Sequence, residues 1–430
     1  MNIVSTHGGA LPTSLSVAIV SGLAPDGGLF MPESLPRLSM QAFDGTASLS
    51  GIASILLRPF FADDMLAEHL DSICAEAFTF DAPLRRLATP DDYVLELFHG
   101  PTAAFKDFGA RFLAACMRRL RSGEKKPLTI IVATSGDTGA AVAAAFYTLP
   151  HFRVIVLYPD GRVSPRQAHQ LGCFGDNVRA LRVAGSFDDC QHLAKLVLAD
   201  SELQHRVPLS SANSISLGRL LPQMAYYAQA SLAHFRLQNT LLNFVVPTGN
   251  LGNAVACVMA RAMGLPIGRI VFSTNANQTL RDFFAGREYT PRPSVSTLAN
   301  AMDVGAPSNF ERLRWLYPER ELRHEFIVDA VGDDAIRTTL RDRHAKHAEV
   351  FCPHTATAIR TLENLRQEGA QGSWAAVATA HPAKFEQVVE PLIGSNVRIP
   401  PSLEQLLRRP SSSEAIAADV RALHGVLLAR

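Results

Sequence analysis

Apolar and polar positions along this chain fall into a repeating pattern. Short continuous apolar runs are each followed by turn residues and then by a stretch with apolar side chains at helical spacing. The runs Tyr93 to Phe98, Leu128 to Ala133, Arg153 to Tyr158, Asn177 to Val183, Leu241 to Val246, Arg269 to Thr274 and Trp374 to Ala378 predict strands. Leu128 to Ala133 is aliphatic throughout apart from one threonine, which predicts burial on both faces. Phe105, Phe108, Phe112, Leu113 and Met117 share one helix face. Further helices are expected over Ala140 to Tyr147, Ser164 to Leu171, Ser186 to Ala199 with a Ser186 cap, Leu220 to Leu237 and Ala254 to Met263. Gln278 to Gly286, Asp333 to His347 and Thr357 to Glu368 complete the set, and Ser308-Asn309-Phe310-Glu311 has capping-box spacing. Strands alternating with helices predict an α/β fold: parallel sheets with helices on both faces.

The flanks read differently. The first ninety or so residues form a turn-rich and helical unit, with helices over Gly51 to Ala77 broken at Arg58-Pro59. The tail from Pro400 reads as a helix, a Pro-Ser break and a final helix. This divides the chain into 1–90, 91–237, 238–395 and 396–430. Glu288 to Ser308 is a long loop with three prolines, expected to be a binding loop, a lid or a static Ω-like cover.

In such sheets ligands bind beyond the carboxyl ends of strands. Lys106 stands there, in the first turn of a helix and between two phenylalanines. The helix N-terminus and the apolar neighbours both disfavour its ammonium form, which makes it a candidate Schiff-base nucleophile. Taken alone, it reads more simply as a lysine reaching past the aromatics to water. Thr134-Ser135-Gly136-Asp137-Thr138-Gly139 and Pro247-Thr248-Gly249-Asn250-Leu251-Gly252-Asn253 are each a loop between a strand and a helix, suited to an anion. Neither has the spacing of a dinucleotide fingerprint or a P-loop. Asn213, Ser214 and Arg219 precede another helix, where they either cap and turn or converge on a phosphate.

Composition narrows the classes. With 41 basic and 40 acidic residues, the net charge of +1 gives no electrostatic case for nucleic acid or a membrane surface. No apolar run is long enough to span a bilayer, and Met1 to Ala10 lacks the features of a secretory signal. Cys74, Cys116, Cys173, Cys190, Cys257 and Cys352 form no close pair, which argues against zinc and disulfides and for free thiols in a reducing cytoplasm.

Together these motifs resemble the threonine synthase family, which uses pyridoxal 5′-phosphate (PLP) on the tryptophan-synthase-β fold, fold type II. The resemblance spans nearly the whole chain. It is carried by Ser21 to Phe30, His99 to Gly109, Ala133 to Gly139, Pro247 to Asn253, Ala301 to Leu313 and Ala378 to Phe385, and points to the longer branch with an added N-terminal unit. It implies two parallel-sheet lobes. It also implies that Lys106 holds PLP as a Schiff base and shuttles protons, that Gly249, Asn250, Leu251, Gly252 and Asn253 cradle its phosphate, and that Thr379 bonds the pyridine nitrogen. A neutral hydroxyl there makes the ring a weaker electron sink than a carboxylate would. Ser135 and Thr138 would hold the substrate, with Asn213, Ser214 and Arg219 completing a second phosphate site. Relatives of the fold often carry Asn, near the PLP phenolic oxygen, where this chain has Asp137; the alternatives for that carboxylate are a facing proton or a main-chain donor.

The implied reaction converts O-phospho-L-homoserine and water to L-threonine and phosphate, a small-molecule conversion with no obligate protein partner evident. A phospho-lyase releasing 2-ketobutyrate would share every motif and differ only in product. A non-catalytic binding protein on the same fold is opposed by the intact Lys106.

Overall fold

The apolar runs pair into two sheets in the computed structural model, which describes residues 1–429. One sheet orders Ile327–Ala330, Ile267–Thr274, Leu242–Pro247, Ser373–Ala378, Asp92–Glu96 and Leu84–Arg86, with every pair parallel but the last. The other orders Glu414–Ala417, Val178–Ala184, Phe152–Pro159, Leu128–Ala133 and Leu209–Ser211, all parallel. Leu128–Ala133 is buried at every position. Ile130 and Val132 face the main core with the helices Lys106–Leu120 and Asp137–Phe146, while Ile131 and Ala133 face the core under Phe187–Ala199. A strand covered on both sides has no polar face to alternate with, which explains its continuous apolar run.

The two lobes do not follow the division of the sequence. Asp92–Glu96 lies in the stretch 91–237, yet it pairs with Ser373–Ala378 in the six-stranded sheet. The tail returns to the other lobe through Glu414–Ala417, an edge strand beside Val178–Ala184. That strand replaces the expected plain break: Glu-Ala-Ile-Ala is short and largely exposed, so it carries no apolar run.

Two local expectations are corrected. The helix expected over Leu220 to Leu237 is broken into Leu217–Leu220, a 3₁₀ turn Leu221–Gln223 and Met224–Gln238. Pro222 lacks the N–H that an unbroken helix requires. The capping box at Ser308 does not form. Asn309 is the N-cap, and the Glu311 carboxylate accepts from the Thr6 hydroxyl and from Leu29 N (3.2 Å) in the N-terminal unit.

The loop from Glu288 to Ser308 contains one 3₁₀ turn, Asn300–Met302, and is bonded along its length in the manner of an Ω-like cover. Val295 N donates to Asn277 Oδ1 (2.7 Å), Thr297 Oγ1 to Asp303 Oδ1 (2.7 Å) and Ala301 N to His354 Nε2 (3.0 Å). Among the described residues, no helix is long and apolar enough to cross a membrane.

Candidate active site

The carboxyl ends of five strands, from both sheets, meet at one cavity. It is lined by Lys106, Asp137, Ser214, Arg219, Gly249 to Asn253 and Thr379, together with Phe105, Gln223, Met302 and His354. Lys106 is the first residue of Lys106–Leu120. The preceding turn is tied to the Thr379 strand end, because Phe105 N donates to Thr379 O (2.8 Å) and His381 N to Ala103 O (3.0 Å). The Lys106 Nζ donates to Thr138 Oγ1 at 2.8 Å. Loss of solvation pushes its ammonium down to about 8; Asp137 opposes that shift, and Arg219 and Lys384 add to it.

On the first loop Gly136 has φ 132°, a conformation that favours glycine, and Thr134 Oγ1 accepts from both Gly136 N and Gly139 N (2.9 Å each). The turn places Asp137 at the helix start. Its Oδ1 receives Lys384 Nζ at 2.7 Å and Gln167 Nε2 at 3.0 Å. Burial alone would raise this carboxyl, but the Lys384 ammonium holds it down to about 2. The partner of Asp137 is therefore neither a facing proton nor a main-chain donor but a fully buried lysine.

On the second loop Leu251 is left-handed at φ 61°, and Gly252 opens the helix Gly252–Ala262. A Cβ on Gly249 would lie 2.7 Å from Met302 Cα, so only glycine lets the cover loop press this close. Asn253 Oδ1 accepts the hydroxyls of Tyr226 and Tyr227 (2.7 Å each), which leaves its Nδ2 buried without a partner among the described residues. Arg219 is buried; one guanidinium nitrogen donates to Ala212 O (2.6 Å), and Nε has no partner among the described residues. Burial pushes this guanidinium down to about 10.

Ser135, Thr138 and Asn213 do not line the cavity. Thr138 reaches it through Lys106, and Asn213 stands beside Ser214 with its Oδ1 buried and unpartnered among the described residues. Three residues to which the sequence reading gave no role belong to the site. Lys384 and Gln167 hold Asp137, and His354, whose imidazole burial pushes down to about 4, lines the wall. Lys384 sits in the Ala378 to Phe385 motif, but nothing in the local sequence pairs it with Asp137.

Unpaired buried donors at Asn253 and Arg219, a helix N-terminus and a lysine near neutrality are the donor set that a phosphate-bearing aldehyde requires, so the residues fit PLP. The family model for pyridoxal-phosphate dependent enzymes matches residues 82–383, and models for the threonine synthase N terminus and C-terminal region match 2–78 and 355–427. The threonine synthase of Escherichia coli is 38% identical over 419 residues, covering 96% of each chain. This chain belongs to the threonine synthase family. The relative from Haemophilus influenzae is 37% identical over the full length of both chains. Among solved structures, E. coli threonine synthase superposes with TM-score 0.92 at 36% identity, covering 100% of this chain and 99% of the other. PLP-bound threonine synthase from Brucella melitensis superposes with TM-score 0.91 at 32% identity and the same coverage. The protein is thus a PLP-dependent enzyme of fold type II acting on a small molecule, and its two lobes are those of its family.

Proposed function

We propose that the protein converts O-phospho-L-homoserine and water to L-threonine and phosphate, with Lys106 as the cofactor lysine. The observation that carries this reading is a buried lysine, its ammonium pushed down to about 8, in a cavity with two separate sets of anion donors. One phosphate belongs to PLP and the other to the substrate.

Gly249, Asn250, Leu251, Gly252 and Asn253 would hold the PLP phosphate at the start of their helix, and Thr379 would face the pyridine nitrogen. Bound PLP supplies an electron sink that acidifies the substrate's Cα–H and then its Cβ–H. Lys106 Nζ accepts and returns protons at those carbons; an ammonium pushed to about 8 leaves a usable fraction of free amine at neutral pH. Thr138 Oγ1 fixes the position of Nζ. Arg219, Ser214 and Asn213 bind the substrate phosphate, and the guanidinium is suited to two oxygens at once. Ser135 and Thr138 would hold the substrate carboxylate and phosphate from the edge of the cavity, Thr138 through its contact with Lys106 Nζ. Phosphate leaves from Cγ and water adds at Cβ, while the cover loop over Gly249 shields the intermediate from stray protonation. The six free cysteines are all buried, in keeping with a reducing compartment, and we infer a cytoplasmic location.

Incubation of the holoenzyme with O-phospho-L-homoserine, followed by proton and phosphorus NMR, tests this reading. Threonine and inorganic phosphate in equal amounts are expected; 2-ketobutyrate as the main product would make the enzyme a phospho-lyase.

A further inference from the structure

We propose that Lys384 is a positioning residue for the reaction: its ion pair with Asp137 closes the site between the two lobes and holds that carboxylate off Lys106. The inference rests on Lys106 being the cofactor lysine.

Asp137 follows a strand of the five-stranded sheet, and Lys384 follows a strand of the six-stranded sheet, so their 2.7 Å contact crosses from one lobe to the other. Both side chains are buried, and both are bonded further, Lys384 Nζ to Thr102 O (2.8 Å) and Asp137 Oδ1 to Gln167 Nε2 (3.0 Å). A buried pair of this kind contributes little net stability relative to apolar packing, because desolvation offsets its attraction. Its place between the lobes, against the carboxylate that acts on Lys106, points to another role.

The charges that act on Lys106 are Asp137, Arg219 and Lys384. His354, which also lines the cavity, is pushed by burial down to about 4 and so is uncharged at neutral pH, and the Asp107 carboxylate next in the chain is turned to Thr102 N (2.9 Å) and Thr102 Oγ1 (2.6 Å). Asp137 is therefore the one acting on Lys106 that favours a proton on Nζ. Left without Lys384, it would have Lys106 as its natural partner, and the amine would stay protonated. Paired with Lys384, its charge is matched, and burial and Arg219 push the Lys106 ammonium down to about 8.

The two partners should then act with opposite sign, which a merely structural pair would not do. The test is a spectrophotometric pH titration of the cofactor bound at Lys106 in the holoenzyme, combined with borohydride labelling. Lys384→Met is expected to raise the midpoint by about one pH unit or more, and Asp137→Asn to lower it. Lys384→Arg, which keeps the charge, is expected to stay close to wild type. Should Lys384→Met fail to fold, Lys384→Gln takes its place in the titration, with the same upward shift expected. Label on Lys106 with midpoints unshifted, or shifted in the same direction, overturns this inference alone. Label on another lysine overturns the functional reading and the inference with it.

Discussion

Asn250 Nδ2 donates to Ser214 Oγ at 2.7 Å, which bonds the loop after one sheet's strand to the loop after a strand of the other. Asn309 Nδ2 donates to Asn250 O (2.9 Å), and the fully buried Arg312 anchors Asn309. The same guanidinium donates to Ile215 O (2.7 Å) and to Phe30 O (3.0 Å) in the N-terminal unit. Arg312 thus joins the N-terminal unit to both proposed phosphate loops.

Arg312→Leu leaves three acceptors, two of them buried, without their donor. The expected cost is about 3 kcal/mol or more, read as a lower urea midpoint. Substrate affinity should fall as well, because Ser214 loses its backing. A change under about 1 kcal/mol would show that the brace carries no weight.

Arg219→Ala should weaken O-phospho-L-homoserine binding far more than PLP retention, since Arg219 lies beside Ser214 and is assigned to the substrate phosphate. Equilibrium binding of an unreactive phosphonate analogue, set against the PLP content after dialysis, separates the two effects. Release of PLP with analogue affinity intact would exchange the phosphate assignments of the loops.

Gly249→Ala puts a methyl group 2.7 Å from Met302 Cα, a backbone atom that cannot step aside without moving the cover loop. Overpacking of this kind costs about 1–3 kcal/mol. A lower melting temperature together with faster PLP loss is expected, both measurable by following absorbance and far-UV dichroism on heating. Unchanged melting and retention would mean that the loop yields freely.

Burial raises the Asp303 carboxyl to about 6, against hydrogen bonds from Thr297 and Asn275, and Asp333 adds repulsion. Unfolded, the group titrates near ~3.9. The folded protein therefore holds the extra proton between these values. The stability it contributes is fully present below about 3.9 and is lost as pH rises through about 6. Amide exchange in Thr297 to Asp303, corrected for intrinsic rate, should show protection falling across that window. Asp303→Asn should remove the dependence; a profile identical to wild type would assign it to another group.

Much of the fold was legible because the inner strands of both sheets are covered on two faces, and their apolar runs stand out against the polar loops. Leu84–Arg86, Ile327–Ala330 and Glu414–Ala417 were not, since an exposed edge strand needs no apolar run. The loop at Gly249 and the lysine at 106 were readable as local patterns: glycine where backbone approaches closely, an amine set among aromatics at a helix start. Lys384 and Gln167 were not, because their meaning lies in Asp137, which the chain brings to them only through tertiary packing across the lobes. The capping box at Ser308 failed for the same reason: the N-terminal unit takes Glu311 for Thr6 and Leu29.

The most direct test of the account is to reduce the holoenzyme with borohydride and map the labelled peptide by mass spectrometry. The cavity lysine pushed to about 8 and the buried lysine paired with Asp137 are the two amines in contention. Label on Lys106, with none recovered in Lys106→Ala, is the predicted result. Label on Lys384 would contradict the account and move the cofactor to the other side of Asp137.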